Sequence, residues 1–178
     1  MNALIRCGLS DISYVETPSG FVYITAIIDW YSRFLVSYSI SNTLQADKVT
    51  RVVKDPVCKY GVPEIINSNQ GSQFTSNEYI ELIKSFEKTK ISMDGKGRAT
   101  DNIAIERFFR SYKWERLYLI YPETASEVKT LTNIMCTFVK MQFKKFLVVT
   151  PLNFIAIFFI AVPYLSLFYL VILSYYKN

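Results

Sequence analysis

No histidine occurs in this chain, and Cys7, Cys58 and Cys136 lie far apart with no C-x-x-C spacing. Ser-His-Asp and Cys-His catalysis are thereby excluded. A structural zinc site has too few ligands, and the thiols read as reduced and buried or incidental. Chemistry is left to carboxylates and a hard metal. Phosphodiester transfer of that kind uses oxygen ligands that hold two divalent ions about 3.5–4 Å apart, and magnesium prefers carboxylates, water and phosphate. Alone, Asp11 would be a strand-edge carboxylate and Glu106 a solvated helix charge. They gain weight from the segments around them: Ser10-Asp11-Ile12-Ser13-Tyr14, then Asn67-Ser68-Asn69-Gln70-Gly71-Ser72-Gln73-Phe74-Thr75-Ser76, then Thr100-Asp101-Asn102-Ile103-Ala104-Ile105-Glu106-Arg107.

Together these segments resemble the catalytic core of insertion-sequence transposases of the orfB type, a core shared with retroviral integrases. The strings Gly71-Ser72-Gln73-Phe74-Thr75-Ser76 and Ser92-Met93-Asp94-Gly95-Lys96-Gly97-Arg98 follow the same pattern. The resemblance implies a ribonuclease-H-like α/β fold, with a five-stranded mixed sheet flanked by helices. It also implies Mg2+ or Mn2+ as cofactor, two ions in intact relatives, held by Asp, Asp and Glu. DNA, both element ends and target, would be the partner, and a homo-oligomer the active form. Asp11, Asn69 and Glu106 stand at the catalytic and metal-holding positions.

Two departures follow. Asn69 replaces the second aspartate, and an amide oxygen carries no formal charge. A unit charge at about 4 Å is worth on the order of 4 kcal/mol at an effective dielectric near 20, so transfer would be slowed by orders of magnitude. The interval from Asn69 to Glu106 is also one residue longer than the family's usual spacing, the extra residue falling in Lys84 to Lys90. The expected function is thus a transposase or integrase core for DNA transposition and integration, impaired as encoded. The alternatives are a non-catalytic DNA-binding remnant, membrane-tethered through its tail, and a ribonuclease-H-like nuclease, which would want the same three acids.

The elements that must position these residues are legible from pattern. Residues 10 to 40 read as three antiparallel strands rich in β-branched and aromatic residues, with turns at Thr17-Pro18-Ser19-Gly20 and Asp29-Trp30-Tyr31-Ser32. Leu44 to Tyr60 reads as a helix stopped by Gly61 and Pro63, with Pro56 expected to kink or shorten it. A strand at Glu64 to Asn67, a helix from Asn77 to Glu87, a strand at Lys90 to Met93, a loop at Asp94 to Arg98 and a last core helix from Asn102 complete the order. Asp101 would cap that helix.

On the last helix, Ile105, Phe108, Phe109 and Tyr112 follow the spacing of a core stripe. Glu106, Arg110 and Lys113 share another face, with two cations beside a carboxylate where DNA phosphates would lie. Gln73, Lys96 and Arg98 join Arg110 and Lys113 as candidate DNA-binding residues. A net charge of +5 and a pI of about 9.0 agree with a polyanionic partner.

The resemblance covers residues 9 to 151 and weakens after Lys129. The expected organisation is 1–129 as the integrase-type catalytic core, 130–151 as a degenerate C-terminal part of the core, and 152–178 as an apolar tail. From Phe154 to Leu173 twenty residues pass without a charge, enough to cross a bilayer core of about 30 Å. Lys140, Lys144 and Lys145 before this span would keep the core cytoplasmic. Decayed coding sequence is the reading placed above membrane association, since the chain also lacks the family's upstream helix-turn-helix region. Met1 to Cys7 has no signal-peptide pattern.

Overall fold

The computed structural model describes residues 6–93 and 102–149, the last eight of these as helical backbone only. The strands are β1 (Cys7–Thr17), β2 (Gly20–Asp29), β3 (Leu35–Ser41), β4 (Ile65–Ser68) and β5 (Lys90–Met93). The helices are α1 (Ala46–Tyr60), α2 (Asn77–Ser85), α3 (Ile103–Tyr112), α4 (Tyr118–Ile120) and α5 (Ala125–Val149), with a π-helical turn at Lys113–Leu117 joining α3 to α4. A compact unit runs to Lys140.

The sheet order is β3-β2-β1-β4-β5, with β1, β2 and β3 antiparallel and β4 and β5 parallel to β1. This is the mixed five-stranded sheet expected of a ribonuclease-H-like fold. Its centre is buried on both faces, which is why β2 reads as a nearly unbroken apolar run instead of an alternation. On one face Val49, Val52, Val53, Tyr79 and Ile83 of α1 and α2 cover Ile27, Val36 and Ile66. On the other, Ile105, Phe109 and Tyr112 of α3, with Leu117, Val128, Met135 and Cys136, cover Leu9, Val15, Ile24, Ala26 and Ile28. Each such side chain contributes roughly 1.5–3 kcal/mol by leaving water, so the predicted α3 stripe seats that helix against β1 and β2.

One local expectation was altered. Pro56 neither breaks nor shortens α1, which continues to Tyr60 and stops at Gly61, where φ is +84°. Proline removes one helical hydrogen bond, but here Pro56 is buried along with Val52 and Val53. Helix α5 runs unbroken through Lys129. Tyr112 Oη of α3 lies 2.6 Å from Thr132 Oγ1 of α5, and Thr132 donates to the Val128 carbonyl at 2.6 Å. Thr132 has one hydroxyl hydrogen, so Tyr112 donates to it, tying α3 to α5. The expected Asp101 cap falls outside the described residues, as do Lys96, Arg98 and the 152–178 tail. Among the described residues no helix is long and apolar enough to cross a membrane.

Candidate active-site cleft

The parallel ladder between β1 and β4 pairs Cys7 with Ile65 and ends with Ser10 opposite Ser68. Neighbouring strands lie about 4.8 Å apart, so the next residue on each chain, Asp11 and Asn69, must fall side by side. They do: Asn69 Nδ2 donates to Asp11 Oδ1 at 2.7 Å. The Ile12 amide donates to the same oxygen at 2.8 Å. On the opposite face of the strands, the hydroxyls of Ser10, Ser68 and Tyr79 are buried together, and burial pushes the Tyr79 phenol above its ordinary pKa.

Beyond Asn69 the chain turns tightly. Gly71 N–H donates to Asn69 Oδ1 at 2.8 Å, while the Gly71 carbonyl accepts from Phe74 and Thr75 amides at 2.9 and 3.1 Å. A Cβ on Gly71 would come within 2.9 Å of Asn69 Oδ1, so a side chain here would displace the Asn69 amide. Phe74 is buried and anchors the loop, and Ser76 caps α2 by accepting from the Tyr79 amide. Gln73 sits half-buried on this loop.

Glu106 lies in the first turn of α3, its amide bonded to the Asn102 carbonyl at 3.2 Å. Because α3 packs on the same sheet face that carries Asp11, the two acids line one cleft of about 310 Å3 with Ser13, Phe109, Arg110, Lys113 and Trp114. The structure thus brings together Asp11, Glu106, Arg110 and Lys113, with Asn69 touching the cleft through Asp11. Gln73 is not among its lining residues. Lys113 is half-buried, its Nζ 5.2 Å from the Tyr14 ring centroid. Burial lowers its pKa, and the charge of Asp11 works against that shift.

Sequence reasoning missed Ser13 and Trp114. Both had a signal: Ser13 is two residues from Asp11 on a strand, and Trp114 follows Glu106 and Arg110 at steps of four. Exposed Glu106 and half-buried Asp11 are the carboxylates that line the cleft, the kind of oxygen ligand a hard divalent cation takes. The third position adds no charge, and it directs an N–H, not an oxygen, at Asp11. No group of three His, Cys, Asp or Glu side chains able to hold a metal occurs among the described residues.

The family model described as integrase core domain matches residues 8–99. The chain is 33% identical over 122 residues to the transposase for insertion sequence element IS904 of Lactococcus lactis subsp. lactis (strain IL1403), covering 67% of this chain and 47% of that protein. It is 29% identical over 110 residues to transposase InsF for insertion sequence IS3A of Escherichia coli (strain K12), covering 61% and 38%. The chain thus spans about half or less of the length of these relatives. Among solved structures, the fold is similar to a chain of the simian T-cell lymphotropic virus intasome in complex with PP2A regulatory subunit B56 gamma, with TM-score 0.58 and 16% identity over 67% of this chain and 42% of that one. It is also similar to the HTLV-2 integrase catalytic core domain in complex with magnesium, with TM-score 0.50 and 18% identity over 63% and 71%. The family match takes in β1 with Asp11 and the loop with Asn69 and Gly71, and the sequence relatives are transposases: the chain belongs to the integrase core domain family.

Proposed function

We propose that this chain is the core of an insertion-sequence transposase that binds DNA in the Asp11–Glu106 cleft and cuts and joins strands poorly, because Asn69 stands where a third carboxylate is needed. The observation that carries this reading is the cleft itself, with two acids and two cations on one wall system and Asn69 bonded to the first acid. Arg110 and Lys113 would neutralise DNA phosphates, and Asp11 and Glu106 would hold the divalent ion. When bound, such an ion polarises phosphate oxygens and activates the attacking hydroxyl. Magnesium in the HTLV-2 integrase core supports that choice of cofactor, with Mn2+ as substitute, and the dimeric and trimeric forms of that core support a homo-oligomer as the active state. Element ends and target DNA are the partners this reading implies.

A second reading, a DNA-binding form without catalysis, is favoured by the Asn69–Asp11 hydrogen bond, which closes the pair with a neutral donor instead of a cation. Strand cleavage and transfer, assayed with magnesium on the unmodified chain, Asn69→Asp and Asn69→Asp/Glu106→Gln, separate the two. Activity that is negligible, then restored, then lost again supports an impaired transposase core. An inactive Asn69→Asp variant that still binds DNA supports the non-catalytic reading. Strong activity in the unmodified chain, or activity indifferent to Glu106, overturns the site assignment.

A further inference from the structure

The rim of the cleft alternates rings and cations in a way that phosphate binding alone does not require. Trp114, on the helical face of Glu106 and Arg110, lines the cleft yet is 63% exposed. Tyr118, one turn further, supports it edge-on with ring centroids 5.3 Å apart and planes at 89°. Near Asp11, β1 continues past the end of its ladder with β4, so Tyr14 stands at an open edge, 58% exposed. Phe21 meets Tyr14 edge-on at 5.8 Å, and the Lys113 ammonium lies over the Tyr14 ring. Cations that track a backbone, set between aromatic faces open to solvent, are the chemistry that holds single-stranded nucleic acid.

We propose that Trp114 is a stacking platform for an unpaired DNA base whose flanking phosphates lie at Arg110 and Lys113, so that the cleft selects splayed or single-stranded nucleotides over continuous duplex. In an intact duplex each base is already stacked on both faces, and an indole gains a partner only from a base that leaves the stack. Tyr118 holds the indole in place, and the Tyr14 ring holds the Lys113 ammonium beside it. The inference rests on the reading that DNA enters this cleft, but it does not depend on whether the strands are cut.

The test uses the full chain and three DNAs: a single strand, a duplex with an unpaired end, and a blunt duplex, the first two carrying a fluorescent aminopurine at an unpaired position. Affinity and aminopurine emission are measured for the unmodified chain, Trp114→Ala, Trp114→Phe and Arg110→Ala/Lys113→Ala. Trp114 is exposed, so its truncation leaves the core intact. The expected result is emission quenched by the unmodified chain and relieved in Trp114→Ala, with about tenfold loss of affinity in that variant for the single strand and the unpaired end, blunt duplex unaffected and Trp114→Phe recovering most of the loss. Salt-sensitive binding weakened by Arg110→Ala/Lys113→Ala, with Trp114→Ala losing nothing or losing equally on all three DNAs, overturns the platform alone. Failure of the unmodified chain to bind any of the three overturns the platform and the DNA-cleft reading together.

Discussion

Asn69 donates its side-chain amide to Asp11 Oδ1 at 2.7 Å and accepts the Gly71 N–H on its own oxygen at 2.8 Å. The second bond fixes which way the amide faces, since only its oxygen can accept from a backbone N–H. The position that would carry a third acid is therefore a hydrogen-bond donor clamped between β1 and the turn after β4. A carboxylate there would set two anionic oxygens against each other, an arrangement that needs a proton or a cation between them.

Asn69→Asp should therefore lower stability in metal-free buffer by about 1–3 kcal/mol, the cost of a lost hydrogen bond with a charged partner left unmatched. Added magnesium should recover most of that loss in the variant and change the unmodified chain little. Thermal unfolding with chelator and with magnesium reads both. Equal stability of the two chains in chelator would show that the Asn69–Asp11 bond contributes nothing.

Arg110→Ala and Lys113→Ala should each weaken DNA binding without regard to sequence. Each should also reduce the slope of log affinity against log salt by about one. Fluorescence anisotropy over a salt series measures this. Slopes unchanged in both variants would place the phosphates elsewhere.

Cys136 supplies a pH dependence. Burial pushes its thiol up to about 12 from an ordinary 9.0, opposed by nearby Lys140. Since the folded value is the higher, the folded state keeps a proton that the unfolded state releases. The associated stability is fully present below pH 9.0 and is lost as pH rises towards 12. The loss amounts to at most about 4 kcal/mol. Urea titrations across that window should show a steeper decline for the unmodified chain than for Cys136→Ala, with the buried Tyr112 phenol adding a decline common to both. Identical slopes would remove Cys136 from the account.

The hydrogen bond from Tyr112 to Thr132 should couple α3 to α5 by about 1 kcal/mol. A double-mutant cycle of Tyr112→Phe and Thr132→Val, followed by chemical denaturation, isolates that coupling. Purely additive effects would mean that α5 packs on the core through its apolar side chains alone.

Local signals in the sequence determined the strands around Tyr14 and Val22–Ile28, the stop of α1 at Gly61, the start of α2 after Ser76 and the inward stripe Ile105–Phe109–Tyr112. These depend on residues within one turn or one strand of each other, so pattern alone reveals them. Asp11, Glu106, Arg110 and Lys113 were also legible, from motif and helical spacing, as members of one constellation. Tertiary structure decided the rest. The direction of the Asn69 amide depends on the β1–β4 register and on a glycine two residues away, a distance no periodicity encodes. Trp114 and Ser13 became cleft residues only when α3 was laid against β1. The hydrogen bond that ties α3 to α5 joins a tyrosine hydroxyl to a threonine twenty positions along the chain. Short-range preferences set the elements, whereas hydrogen-bond direction and cleft membership are properties of surfaces that meet only after folding.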